Sequence, residues 1–327
     1  MKKKFVIPLI ALLFIGLAFS SGCIGESEAK EAPKGMFAGG SNGLVLSFMP
    51  GLPPDEVFEN TKFTIGVKLE NKGEHKVPEG VEVKIGGIPT GEDGFDLNQS
   101  AQSTKKELTG KTLVEEEVIS GGFEIFNFPA ESPTYPGDTE VTIIASSCFP
   151  YESLGVATVC LKDDLFTQAT GAPEVCKVSG EKETYSRGAP IKVTKIKEIP
   201  MGEHRLGFKI NIENTGDGQV YLPRTGCKGS DINKVSVKSV KIRDIVFSCS
   251  TKTITLVDGE GTVFCDKELP EDIGEYEDIL KVILEYNYRT QATQKLNVLN
   301  VPYGESETST ENATEGEGAG AEQGTGS

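Results

Sequence analysis

The chain of 327 residues contains no Trp and only two His, His75 and His204. Without Trp, the aromatic platforms that are common in carbohydrate-binding sandwiches would have to be built from Tyr and Phe. A Ser-His-Asp triad needs a His that a carboxylate holds within reach of a nucleophile, whereas both His here lie in predicted turns flanked by charged residues. The seven Cys include no C-x-x-C pair, so a tetrahedral zinc site is not indicated. We therefore predict no catalytic residues, no metal and no cofactor.

Basic residues are outnumbered by acidic ones, with 33 Lys and Arg against 49 Asp and Glu, and the formal net charge is −16. An acidic surface argues against nucleic acid as a partner and against electrostatic docking on anionic lipids. Carboxylate pairs such as Asp163-Asp164 then indicate a solvated face, and a carboxylate-dependent hydrolase is the least favoured hypothesis. The loop over residues 91–96 lacks the full spacing of a calcium-binding loop, which leaves calcium as an open question.

The N-terminus has the layout of a secretory signal peptide. Three Lys at positions 2–4 precede an apolar run over residues 5–19, and small residues follow at positions 20–22, directly before Cys23. The apolar run is shorter than the roughly 20 residues that a membrane-spanning helix needs. We predict a signal peptide over residues 1–22. The alternative is an uncleaved transmembrane anchor that extends to Ile24.

A small residue directly before Cys23 resembles a lipobox, in which the Cys is lipidated and becomes the new N-terminus. Ser20 stands where a branched apolar residue is typical in bacteria, and residues 21–25 (Ser-Gly-Cys-Ile-Gly) are more similar to the lipoproteins of archaea. The resemblance implies an archaeal protein that a lipid on Cys23 holds at the extracellular face of the cell membrane. The polar residues that follow predict a flexible, lipid-anchored spacer over residues 23–42.

The remaining cysteines are even in number and, in an exported protein, predict up to three disulfide bonds. They are Cys148, Cys160, Cys176, Cys227, Cys249 and Cys265. Six cysteines allow 15 pairings, but the spacing suggests two local pairs, Cys160–Cys176 and Cys249–Cys265, and leaves Cys148–Cys227 by elimination. If Asp258-Gly259 forms a two-residue hairpin turn, Cys265 faces Lys252, and its pairing with Cys249 then needs a bulge or another register.

Long amphipathic helices are nearly absent after residue 25. Short runs rich in Val, Ile, Thr, Phe and Tyr alternate with Gly, Pro, Asn and Asp, which is typical of an all-β sandwich. We predict two immunoglobulin-like β-sandwich domains in tandem, over residues 43–162 and 188–303, joined by a connection over residues 163–187. The candidate strands are residues 44–49, 62–70, 81–85, 123–128, 140–148 and 154–161, and then residues 191–196, 205–213, 235–247, 253–257, 262–265, 279–288 and 294–301.

An internal repeat supports this division. Residues 63–73 read F-x-I-x-V-x-L-E-N-K-G, and residues 206–216 read L-x-F-x-I-x-I-E-N-T-G. Four apolar residues at period two would line the buried face of a strand, and the Asn and Gly that follow tolerate positive φ in a turn. A strand ending in Glu-Asn-x-Gly resembles the cell-adhesion-related (CARDB-like) immunoglobulin-like modules of prokaryotic surface proteins. The resemblance implies a sandwich with an interaction role and assigns no functional residue.

The C-terminal residues 304–327 contain six Glu, no basic residue and no large apolar side chain, which predicts a disordered acidic tail. Two N-x-[ST] sequences make Asn98 and Asn312 candidates for glycosylation.

The leading functional hypothesis is a non-enzymatic cell-surface lipoprotein. Its β-sandwich modules would mediate binding, adhesion or envelope assembly with an unknown protein or glycan partner. The alternative is a ligand-binding lipoprotein, accessory to uptake, with its site between the domains. That alternative requires a concave pocket lined by Tyr or Phe with converging polar groups.

Overall fold

A computed structural model describes residues 36–166 and 176–301. The predicted signal peptide, Cys23, the residues of the spacer before 36, the acidic tail and Asn312 lie outside the described residues. The regular structure of the two described ranges is all β, as predicted. The strands are β1 (Leu44–Phe48), β2 (Glu56–Phe58), β3 (Lys62–Asn71), β4 (Glu82–Gly86), β5 (Asp96–Leu97), β6 (Ala101–Ser103), β7 (Thr112–Val114), β8 (Glu117–Ile119), β9 (Phe123–Glu131), β10 (Thr139–Leu161), β11 (Gly180–Lys182), β12 (Thr184–Ser186), β13 (Ile191–Pro200), β14 (Arg205–Asn214), β15 (Gln219–Tyr221), β16 (Lys234–Ile242), β17 (Ile245–Val246), β18 (Ser248–Cys249), β19 (Thr253–Thr255), β20 (Glu260–Glu268) and β21 (Tyr276–Leu299).

The repeated segments form equivalent strands, β3 and β14. Their apolar residues at period two face the core, because successive side chains of a strand point to opposite faces of its sheet. The buried residues are Ile65, Val67 and Leu69 on β3 and Leu206, Phe208, Ile210 and Ile212 on β14, whereas Phe63 on β3 is half-buried. The strand part of the predicted repeat is therefore confirmed.

Three large sheets build the sandwich. The first has the order β1-β3-β9-β5, and another has the order β11-β13-β14-β20-β18. The largest sheet, called the central sheet below, has ten strands; it follows the path β17-β16-β21-β10-β4-β6, with β2, β12, β15 and β19 paired to its members. Strands β7 and β8 form a separate two-stranded ribbon. In the part of the chain that the structure describes, no helix is long and apolar enough to cross a membrane.

The two longest strands, β10 and β21, have 23 and 24 residues and pair antiparallel over their length. The predicted break between strands 140–148 and 154–161 is therefore wrong, as is the break between 279–288 and 294–301. Pro150 lies in the stretch of β10 between its pairings with β4 and β12, where the described residues place no strand on that edge. Proline is tolerated at such an edge because no ladder donor is needed. Through β10 and β21, the two parts that the sequence separates at residues 163–187 share one sheet.

The disulfides are Cys148–Cys227, Cys160–Cys176 and Cys249–Cys265; the last two are the pairs that the spacing suggested, and the first is the pair left by elimination. Cys249 on β18 lies directly opposite Cys265 on β20, with 3.9 Å between their Cα atoms. This register requires the irregularity that the sequence anticipated. The turn at Asp258-Gly259 has positive φ at both residues. Between β18 and β20 the chain leaves their sheet, and β19 pairs with β16 of the central sheet.

Candidate functional site

Four buried aromatic side chains lie side by side at the middle of the two long strands. Phe149 and Tyr151 alternate with outward-facing residues on β10, and Tyr286 and Tyr288 do so on β21, so all four rings share one face of the central sheet. Neighbouring ring centroids are 5.9–6.3 Å apart around the set, within the range of favourable aromatic pairs. The cluster therefore packs at the pairing of β10 with β21. These strands belong to the two halves of the described chain, residues 36–166 (first half) and 176–301 (second half).

One of these tyrosines binds the turn after β3. The Tyr151 hydroxyl donates a hydrogen bond to Oδ1 of Asn71 at 3.3 Å and accepts one from the backbone N–H of His75, also at 3.3 Å. The Asn71 amide donates to the carbonyl oxygen of His75 at 2.7 Å, and the N–H of Gly73 donates to Oδ1 of Asn71 at 3.1 Å. Asn71 therefore closes its own turn and fixes Tyr151 to it.

The turn after β14 is bound in the same way. The Tyr288 hydroxyl donates to Oδ1 of Asn214 at 3.2 Å and accepts from the N–H of Gly218 at 2.7 Å. The Asn214 amide donates to the carbonyl of Gly218 at 3.1 Å, and the N–H of Gly216 donates to Oδ1 of Asn214 at 3.3 Å. The repeated Glu-Asn-x-Gly segment is thus half of a hydrogen-bonded latch. Its tyrosine follows the asparagine by 80 residues in the first half and by 74 in the second.

The glycines of the two latches are needed because a side chain would not fit. The positive φ that the sequence suggested is wrong, since neither glycine has a positive φ in the structure. A Cβ atom on Gly73 would lie 2.0 Å from the Tyr151 hydroxyl, and one on Gly216 would lie 2.5 Å from the Tyr288 hydroxyl. The bare backbone at these positions lets the phenol reach the turn.

The two latches are related by a local pseudo-twofold axis. Tyr151 pairs across the sheet with Tyr286, and its counterpart Tyr288 pairs with Phe149. Exchanging β10 with β21 therefore maps one aromatic pair onto the other and leaves the intervening pair, Pro150 and Asn287, in place. The axis passes through that pair.

A cleft of about 280 Å³ opens beside this axis. Its lining includes Pro150 and Asn287, the axial pair, and the next outward-facing pair, Glu152 and Glu285. A loop of the first half contributes His75 and Pro78, and the loop after β15 contributes Pro223 and Arg224; Tyr151 and Tyr286 complete the lining. The cleft therefore lies between segments of both halves.

Charges of both signs meet at the cleft, and only some of them are paired. Glu152 forms an ion pair of 2.5 Å with Lys238, which sits at the bulge of β16 between Val237 and Ser239. Glu285 lies directly opposite Glu152, where like charges repel. Within residues 36–166 and 176–301, neither Glu285 nor Arg224 has an ion-pair partner.

The loop that carries Arg224 is held tightly although it has no regular structure. Cys227 ties it to Cys148 on β10, and Arg224 itself has a φ of 67°. The left-handed region is sparsely populated by residues other than Gly, Asn and Asp, and residues held there are frequent at binding sites. The disulfide thus keeps this arginine at the rim of the cleft.

Burial lowers the pKa of His75, and the nearby Glu152 carboxylate offsets this shift only in part; Arg187, Lys238 and Lys76 lower it further. The ring contacts Tyr151 edge-on with 5.3 Å between centroids. At neutral pH this imidazole is uncharged, so it adds a polar but neutral group to the cleft.

The polar groups that line the cleft are two carboxylates, an imidazole, an amide, a guanidinium and two phenols. Its lining contains no Ser, Thr or Cys, and among the described residues neither imidazole makes a side-chain hydrogen bond; Nδ1 of His204 is buried without a partner. Of the two opposed carboxylates, Glu152 is ion-paired with Lys238. The two described ranges contain no cluster of three or more His, Cys, Asp or Glu that could hold a metal ion.

A second unusual surface is the ribbon of β7 and β8 with the start of β9. Val114, Val118, Ile119, Phe123 and Ile125 are each about half exposed. Glu115 and Glu116 form the turn of the ribbon with φ values of 48° and 70°, an uncommon conformation for residues other than Gly, Asn and Asp. The ribbon combines apolar sides with an acidic tip.

Of the glycosylation candidates, Asn98 lies within the described residues and is exposed in the turn after β5. The six paired cysteines do not belong to one site, because only Cys148–Cys227 adjoins the cleft. Sequence reasoning missed Arg224, Glu285 and Asn287. Their only signal was position: Asn287 and Glu285 fall one and three residues before the tyrosine that pairs with the repeated Asn.

Comparison with known proteins identifies no family. No family model matches the chain, and no curated protein matches it. Among solved structures, the chain is similar to a secreted serine protease, VesC from Vibrio cholerae, with 12% sequence identity over 76% of this chain and 51% of that one, at a TM-score of 0.20. The match spans about half the length of the protease. A similarity of this extent supports no conclusion about fold or activity.

Proposed function

We propose that the protein is a non-enzymatic lipoprotein of the cell surface that mediates binding, adhesion or envelope assembly through two immunoglobulin-like modules. The signal-like N-terminus and the lipobox-like segment before Cys23 support export and anchoring. Three disulfides agree with an oxidising compartment. The partner is another protein or a glycan of the envelope.

The observation that carries this proposal is the exposed ribbon. A two-stranded ribbon is marginally stable by itself in water, and this one is apolar on both faces: Val114 and Ile119 share one face, and Leu113 and Val118 the other. Grouped exposed apolar side chains of this kind mark interaction surfaces. A binding partner that covers the ribbon would remove this surface from water.

The test uses a photo-crosslinking amino acid at position 118 in intact cells. The matched control is position 257, where an equally apolar residue is 69% exposed at the tip of another hairpin. We expect a crosslinked product of discrete mass from position 118 and none from position 257. Equal products from both positions, or none from either, would contradict a specific contact at the ribbon.

A second candidate function is a ligand-binding lipoprotein accessory to uptake. The specific observation in its favour is the cleft between the halves, which combines Tyr151 and Tyr286 with the charged Arg224 and Glu285. Such a combination of aromatic and polar lining is typical of small-molecule sites. Saturation transfer from the protein to candidate ligands tests it, and a cleft that takes up none of them would exclude it.

A further inference from the structure

We propose that the cleft beside the pseudo-twofold axis binds a small zwitterion, an amino acid or a dipeptide, with the carboxylate at Arg224 and the ammonium at Glu285. This inference rests on the ligand-binding function proposed above and deepens it by naming the ligand class. It follows from the charges, the size and the rigidity of the cleft.

The charges of the cleft require a ligand with both signs. Glu152 and Lys238 neutralise each other at 2.5 Å. Glu285 and Arg224 remain, one negative and one positive; Lys238 attracts Glu285 from beyond ion-pair distance, and among the described residues neither Glu285 nor Arg224 is in ion-pair contact. A ligand of a single charge would satisfy one of them and leave the other unmatched. A zwitterion satisfies both, because a guanidinium binds a carboxylate through two parallel N–H donors and a carboxylate accepts from an ammonium.

Asn287 adds a polar group to the lining. Its residue is only 7% exposed, and its side chain makes no hydrogen bond with the residues that the structure describes. A primary amide both donates and accepts. It can therefore bind the carboxylate of an amino acid or the peptide group of a dipeptide.

The volume limits the ligand to a small molecule. About 280 Å³ corresponds to roughly nine water molecules at about 30 Å³ each. A molecule of about ten non-hydrogen atoms fits this space, which is the size of leucine or of a dipeptide with two small side chains. Larger peptides would have to extend out of the cleft.

The lining is rigid before any ligand arrives. The lining includes three prolines, whose backbone is restricted: Pro78, Pro150 and Pro223. The disulfide between Cys148 and Cys227 fixes the loop of Arg224. A preformed site loses little conformational entropy on binding, which favours affinity for a ligand too small to make many contacts.

The experiment is isothermal titration calorimetry of the full mature chain. The ligands are L-leucine and L-alanyl-L-alanine, with three comparison compounds: N-acetyl-L-leucine lacks the ammonium, L-leucinamide lacks the carboxylate, and D-glucose is uncharged. We expect the zwitterions to bind and each singly charged analogue to bind at least about tenfold more weakly, the loss expected for one charge-assisted hydrogen bond.

Variants assign the two ends of the ligand. Arg224→Gln should weaken L-leucine about tenfold and leave L-leucinamide unchanged, and Glu285→Gln should weaken L-leucine while leaving N-acetyl-L-leucine unchanged. The matched control is Arg289→Gln, because Arg289 lies two residues beyond Asn287 on β21 but does not line the cleft. Circular dichroism verifies that each variant is folded.

The outcomes separate the ligand class from the function. Binding of D-glucose without binding of the zwitterions would overturn the ligand class and keep the cleft as a binding site. No binding of any compound at about 10 mM, far above an expected Kd of about 1 mM or less, would overturn both. An equal effect of Arg289→Gln and Arg224→Gln would place the binding elsewhere and overturn the proposal.

Discussion

The hydroxyl group of Tyr151 donates a hydrogen bond of 3.3 Å to Oδ1 of Asn71, across 80 residues of sequence. The same bond joins Tyr288 to Asn214 in the second half. Each tyrosine stands on one of the two strands that run through both halves, and each asparagine ends a strand of an outer sheet. The latches therefore connect the outer sheets to the central sheet on either side of the pseudo-twofold axis.

Removing one hydroxyl of a latch should destabilise the protein. In Tyr151→Phe, the buried Asn71 loses a donor and the N–H of His75 loses an acceptor, so we expect the free energy of unfolding to fall by about 1–2 kcal/mol. Tyr288→Phe should have an effect of the same size. Urea unfolding measures both. Tyr276→Phe is the control, because the Tyr276 hydroxyl has no hydrogen bond within the described residues; a loss equal to that of Tyr151→Phe would contradict the latch.

The glycine of the first latch should not tolerate a methyl group. A Cβ at position 73 would lie 2.0 Å from the Tyr151 hydroxyl and 2.5 Å from the carbonyl oxygen of Asn42. We expect Gly73→Ala to cost about 3 kcal/mol or more, since tight overpacking costs 1–3 kcal/mol even where neighbours can shift. Gly86→Ala is the matched control, with open space around its Cβ. Similar midpoints of urea unfolding for the two variants would refute the steric explanation.

Stability should fall as the pH rises through neutrality, because of Glu198. Its carboxylate is fully buried, accepts from the N–H of Cys160 and lies 2.6 Å from Nζ of Lys182. Burial raises the pKa of Glu198 from 4.5 to about 7, against the opposing effects of Lys182 and Cys160. The folded state therefore holds a proton between these values that the unfolded state releases. The stabilisation is complete below pH 4.5 and is lost as the pH passes 7, by at most about 3 kcal/mol.

The measurement is urea unfolding between pH 4.5 and 8 for the natural chain and for Glu198→Gln. The glutamine side chain does not titrate, so the difference between the two proteins isolates the carboxylate from every other titrating group. A constant difference across this range would show that the buried carboxylate does not change its protonation on unfolding.

The disulfides should differ in their contributions. Cys148–Cys227 spans 79 residues, and Cys249–Cys265 spans 16. In the chain-entropy description the first stabilises by about 4.5 kcal/mol and the second by about 3 kcal/mol. We expect the double Ser variant of the first pair to unfold at a lower urea concentration than that of the second. The reverse order would indicate that native-state packing dominates over loop length.

The N-terminus should be processed at Cys23. Intact mass spectrometry of the membrane-associated protein should show the loss of residues 1–22 and an added lipid, and it also counts the disulfides when reduced and unreduced samples are compared. Cys23→Ala should abolish the added mass and release the protein from the membrane fraction. A full-length N-terminus that stays membrane-bound in Cys23→Ala would favour the transmembrane anchor.

The sequence predicts features that depend on neighbouring residues better than features that join distant parts of the chain. Alternation of apolar residues identified β3 and β14, because a strand with one buried face imposes period two on its own sequence. The even cysteine count and their spacing led to the disulfides. The predicted break between residues 148 and 154 was wrong, because Pro150 lies within a 23-residue strand. Nothing local shows that the edge of β10 at Pro150 is free.

The cleft could not be predicted from the sequence, for a related reason. Arg224, Glu285 and Asn287 are ordinary polar residues in an acidic chain, and charge runs usually indicate a solvated face. Only the antiparallel register of β10 and β21 places Glu285 opposite Glu152, and only the disulfide to Cys148 brings the loop of Arg224 beside them. These relations join residues that are far apart in the chain.

The sequence by itself determined the all-β class, the repeated strand with its Asn and Gly, and the cysteines available for pairing, because each of these depends on neighbours within a few residues or on composition. It also carries the export and lipidation predictions, which concern residues outside the structure described. Tertiary structure alone decided that the two halves share one sheet, that Tyr151 and Tyr288 complete the repeated turns, and that unpaired charges converge on one cleft. Strand pairing and register are set by the packing of the whole chain, and no short segment encodes them.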